Sequence, residues 1–87
     1  MNVKELRQLL EDVPDDMLVI VQKDGEGNGY SPLDSVYTEN NSYVSESSYG
    51  GEVKLTKLTS YMKDCGFTKQ DVAPKDAEPC IVLIPVN

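Results

Sequence analysis

Apolar residues recur at helical spacing from the start of the chain. Val3, Leu6, Leu9, Leu10 and Val13 fall on one face, and Lys4, Arg7, Gln8, Glu11 and Asp12 fall on the other. Asn2 is placed to cap this helix, with Glu5 three residues on as in a capping box. Pro14 ends it, because proline lacks the next amide and disfavours helix at Val13. The period then changes. Met17 to Gln22, MLVIVQ, is a continuous apolar run and predicts a central strand covered on both faces. A glycine-rich loop follows, and a further strand starts near Leu33 or Ser35.

"SVYTENNSYVSE" has hairpin form. Asn40-Asn41 supplies the turn, setting Val36, Tyr37 and Thr38 against Ser45, Val44 and Tyr43. Ser45 to Glu52 has loop composition. Leu55, Leu58, Met62 and Cys65 return to helical spacing, which predicts a helix over 57–65 with Thr56 as cap and Gly66 as stop. Thr68 and Asp71 mark a short helical turn before Pro74. Residues 75–79 are a polar linker, and 80–84, CIVLI, form a second buried strand beside Met17–Gln22. The pattern predicts a single small α+β domain over residues 1–87. A small mixed sheet carries the N-terminal helix on one face, with a central hairpin and a second short helix.

Composition narrows the function. A chain of 87 residues buries only about 60–65% of its unfolded surface, so a deep catalytic cleft is hard to house. The N-terminus has no apolar leader pattern, and no run reaches the ~20 apolar residues of a membrane span. A cytoplasmic location follows as the expectation. Cys65 and Cys80, with no C-x-x-C and no histidine, exclude the usual structural zinc sites and Ser-His or Cys-His catalysis. They are expected as reduced thiols. The net charge of −7, spread without a block, argues against direct nucleic-acid binding. It leaves open an acidic mimic that competes with nucleic acid for a basic protein.

The loop "KDGEGNGYSPLDS" carries the most specific chemistry. Asp24, Glu26, Asn28 and Gly29 match the first, third, fifth and sixth positions of a calcium-binding EF-hand loop. The ninth position is Pro32 and the twelfth is Ser35, so the bidentate acid is missing, and a strand stands where a helix belongs. The loop therefore reads as a turn between strands, with no metal and no cofactor expected. Gly25, Gly27 and Gly29 do not make a phosphate cradle either, because Asp24 and Glu26 repel phosphate and no helix follows.

Tyr37, Tyr43 and Tyr49 recur every six residues and offer an aromatic binding face. With the loop residues Asp24, Glu26, Asn28 and Tyr30, they are the residues expected to bind a partner. The segments "VKELRQLLEDVPDDMLVIV", "DGEGNGYSPLDSV" and "CIVLIPVN" resemble short proteins encoded by tailed bacteriophages and prophages. The shared pattern rests on Val3, Glu5, Leu6 and Leu10, then Pro14 and Asp16, then Tyr30, Pro32 and Leu33, and finally Val82, Leu83 and Pro85. The resemblance implies a phage or prophage origin and carries no activity or site residues. The expected function is a non-catalytic accessory protein of the bacterial cytoplasm that binds a host or phage protein. A homo-oligomer that traps a nucleotide-like signal is the alternative, provided Lys54 and Lys57 converge on the ligand.

Overall fold

Local signals set the helical parts of the computed structural model, which describes residues 1–86. Helix α1 spans Val3–Leu10. The Asn2 side chain caps it by accepting from the Glu5 N–H at 2.9 Å. It ends before Val13, because Glu11 and Val13 donate three residues back, to the carbonyls of Gln8 and Leu10, and tighten the last turn. Helix α2 is only Ser60–Asp64, capped by Thr59 rather than Thr56. Gly66, at φ +98°, turns the chain out of it. Thr68 and Asp71 form a reciprocal capping box around a short 3₁₀ turn, Lys69–Asp71.

The class is α+β, with two three-stranded antiparallel sheets. Strands β1 (Ile20–Gln22), β2 (Tyr30–Tyr37) and β6 (Val82–Pro85) form the first, in the order β1-β2-β6. Strands β3 (Asn41–Ser45), β4 (Gly51–Leu55) and β5 (Glu78–Pro79) form the second, in the order β4-β3-β5. Strand β2 carries an extra residue, Asp34, between the pairs Leu33–Pro85 and Ser35–Ile84.

Three expectations change. The Asn40-Asn41 hairpin does not form, because β2 pairs with β1 and β6 while β3 pairs with β4 and β5. Asn40 does adopt positive φ, +59°, but it passes the chain from one sheet to the other. Its Oδ1 accepts from the Lys57 N–H at 2.9 Å and its carbonyl from the Thr56 N–H at 3.2 Å. The hairpin of this region is β3–β4, with Ser45 opposite Gly51; residues 46–50 form its loop, so only the ends of the expected loop, Ser45 and Gly51–Glu52, are strand. Finally, Met17–Gln22 does not pair with 80–84: β2 lies between β1 and β6, and β1 is an edge.

Among the described residues no apolar side chain is fully buried; the two buried residues are Ser31 and Ser42. A compact chain of 9.6 kDa exposes about 5,100 Å², whereas this one exposes 7462 Å². Its radius of gyration is 15.4 Å, against about 12 Å for a compact chain of this length. Neither comparison is met by a small correction, so a large apolar area is left without cover.

Candidate functional site

The open edge of β1 is where that uncovered surface meets unpaired backbone. Antiparallel pairing alternates bonded and non-bonded residue pairs. Here the bonds to β2 run through Val19, whose carbonyl accepts from the Leu33 N–H at 3.0 Å, and through Lys23, whose N–H donates to Gly29 at 2.9 Å. Val21, opposite Ser31, has the same phase. Ile20 and Gln22 lie between these positions and turn their N–H and C=O away from the sheet. Pro32 faces Ile20 across the pair and turns its carbonyl to the other side, where it accepts from the Val86 N–H at 2.9 Å.

Side chains on both faces of this edge are apolar and wet. Met17 is 58% exposed, Leu18 73%, Val19 54% and Ile20 44%. No charge, proline or bulge guards the run from Met17 to Val21, although such devices are usual at a free edge. The edge strand β4 offers a contrast: it carries Glu52 and Lys54, with Oε1 and Nζ 3.5 Å apart. On the preceding helix Leu9 and Leu10 are also exposed, as is Val13 after it.

The loop of residues 23–29 closes the β1–β2 hairpin, so it is the turn that its glycines and acids imply. Asp24 organises it. One carboxylate oxygen accepts from the Glu26 N–H at 2.8 Å and the Asn28 N–H at 3.4 Å, and the other accepts from the Asn28 side-chain amide at 2.8 Å. The Asn28 side-chain amide first, and the Glu26 N–H second, hold the Asp24 carboxyl below the usual carboxylate range. Gly27 takes φ +78° beside the Tyr30 hydroxyl, a conformation and a spacing that suit glycine. Both Asp24 oxygens are thus spent inside the loop. Among the described residues no three His, Cys, Asp or Glu side chains gather as a metal site.

Of the expected binding residues, Asp24, Glu26, Asn28 and Tyr30 lie at one end of the β1 edge, with Tyr30 exposed opposite Gln22. The tyrosines fall on separate elements. Tyr37 ends β2 opposite Val82, Tyr43 lies in the middle of β3, and Tyr49 sits fully exposed in the β3–β4 loop. Tyr43 lines a groove with Val3 and Leu6 of α1 and with Ile81 and Leu83. Lys54 does not converge with Lys57. Its Nζ donates to the Gln70 carbonyl at 3.1 Å, beside Glu52. Cys65 and Cys80 are free thiols. The residues that the sequence reading missed are Leu18 and Ile20, placed in the core by their apolar run. Nothing in that run says which side lacks a neighbour.

No family model, curated protein or solved structure matches the chain. Among the described residues no helix is long and apolar enough to cross a membrane.

Proposed function

We propose that the chain is a non-catalytic binding protein that takes a strand of another protein onto the open edge of β1. The reading keeps a phage or prophage origin, with the partner a host or phage protein in the bacterial cytoplasm. The observation that carries it is the β1 edge itself: outward backbone groups flanked on both faces by exposed Leu18, Val19 and Ile20. Strand addition satisfies such groups through main-chain bonds and seats alternate side chains in the partner. The excess surface, about 2,400 Å² over a compact chain of this mass, is large enough for a stable interface, which buries roughly 800 Å² per partner.

A second copy of the chain is the rival occupant, and one feature favours it. The segment runs from Asp15 and Asp16 through the apolar stretch to Lys23. Antiparallel self-pairing brings Lys23 of one copy to the acidic turn of the other, as a two-fold interface requires.

Ile20→Pro tests both. It removes an outward N–H that β2 does not use, so the fold should keep its melting temperature. With a foreign partner, capture from a bacterial lysate by the wild-type chain yields one protein that the variant fails to retain. With a second copy, sedimentation gives a dimer for the wild type and a monomer for the variant. Equal capture and equal sedimentation for the two chains would refute strand addition at β1.

A further inference from the structure

The second sheet borders a cavity remote in sequence from β1, and its charge is opposite to that of the whole chain. Lys57, Lys69 and Lys75 line it, together with the apolar wall of Leu58, Val72 and Pro79. No acid lines it, in a chain of fifteen acidic and eight basic residues.

The sorting has a local cause. Residues 75–77 turn, with the Ala77 N–H donating to the Pro74 carbonyl at 3.0 Å, before β5 begins at Glu78. Along residues 75–79, Lys75, Ala77 and Pro79 line this cavity, while Asp76 and Glu78 line a separate one beside Tyr43. The next nearest acid in sequence, Asp71, is held in its own capping box, with Oδ2 accepting from the Thr68 N–H at 2.8 Å. Lys54 is drawn off by Glu52.

The cavity also holds a polar pair. Ser42 is 3% exposed, and its Oγ lies 2.7 Å from Thr56 Oγ1. Two hydroxyls facing each other spend one proton between them. The second proton is free to donate to an acceptor in the cavity. Lysine stems covering an apolar hollow would need no such donor.

We propose that this cavity binds a small organic phosphate. The phosphate sits among the three ammonium groups and the spare hydroxyl, and its apolar or heteroaromatic body lies on Leu58, Val72 and Pro79. The chain's overall negative charge does not forbid this, because charges beyond about 8 Å are largely screened at physiological salt. The three nearby lysines then dominate the local field. The site lies within a single copy and stands whether or not β1 takes a strand, since the cavity belongs to the second sheet and β1 to the first.

The test is an amide-shift titration of the full-length ¹⁵N-labelled chain with adenosine 5′-monophosphate, and separately with adenosine and with inorganic phosphate. The expected result is saturable shifts at Lys57, Leu58, Val72 and Ala77, with each half of the ligand binding more weakly than the whole. Lys57→Gln and Lys75→Gln should each lower the affinity about fivefold, the equivalent of one close charge pair in water. Lys63→Gln, which changes a lysine outside the cavity, should leave it unchanged. All three residues are exposed in the wild type, so the variants should keep the wild-type spectrum. No shift at millimolar ligand, shifts spread equally over all lysines, or unchanged affinity in Lys57→Gln would each overturn the proposal.

Discussion

Replacing Gly51 by alanine should separate the packing of the β3–β4 hairpin from mere glycine flexibility. Gly51 pairs with Ser45 at the mouth of the hairpin. A Cβ built there would overlap the Val44 carbonyl oxygen and lie 2.9 Å from the Ser45 Cα, both backbone atoms that no rotamer change can move. Ordinary contact begins near 3.4 Å, so the strands must part by at least about half an ångström, a strain of roughly 1–3 kcal/mol. A chain of this size has a total stability of about 4–13 kcal/mol. Each kilocalorie moves the melting temperature of so small a domain by about 4–8 °C. The expected loss for Gly51→Ala is therefore about 10 °C, read by circular dichroism at fixed protein concentration. Gly50→Ala is the control, because nothing lies within 4 Å of its added Cβ. It should be neutral, or stabilising by about 0.4–1 kcal/mol through the unfolded chain. Equal melting of the two variants would refute the register assigned to this hairpin.

Acid should loosen the β1–β2 loop before the sheets melt. The folded state holds the Asp24 carboxyl low, so its contribution is present above the ordinary aspartate range and is lost as the pH falls through the lowered folded value. Amide shifts of Glu26 and Asn28 should titrate together there, and Asp24→Asn should abolish that step. Tyr43→Ala should cost about 1–2 kcal/mol, because the ring is partly covered in the groove beside Val3 and Leu6. Tyr49→Ala should change stability by less than about 0.5 kcal/mol, since that side chain is fully exposed. Urea unfolding of the two variants checks the contrast.

Signals confined to a few residues were legible in the sequence. The Asn2 cap, the Thr68–Asp71 box and the Gly66 stop are each complete within three or four positions, and all three form. The β1–β2 turn was legible for the same reason, since Asp24 and Asn28 bond within the loop. Strand partners were not. Val36–Thr38 and Tyr43–Ser45 carry the patterning of one hairpin, yet Val36 and Tyr37 pair far along the chain with Leu83 and Val82, while Tyr43–Ser45 form the next hairpin with 51–53. Leu55 shares helical spacing with Leu58 and Met62, which hid β4, because a period of three or four can be met by a strand end followed by a short helix. The run from Met17 reads as a strand with two neighbours, and one is supplied. Residues 75–79 read only as a polar linker, because the meeting of Lys75 with Lys57 and Lys69 depends on how the 3₁₀ turn sits beside β4, joined by the Ala73 N–H to the Leu55 carbonyl at 2.8 Å.

A photo-crosslinking residue placed at position 18, the most exposed side chain of the Met17–Ile20 run, tests strand addition most directly. Irradiation of bacterial cells producing this chain should give one dominant adduct, joined to an extended segment of another protein or of a second copy. The same label at position 49, in the β3–β4 loop, should not give that adduct. An uncrosslinked chain at position 18, or the same adducts at both positions, would contradict a binding edge at β1.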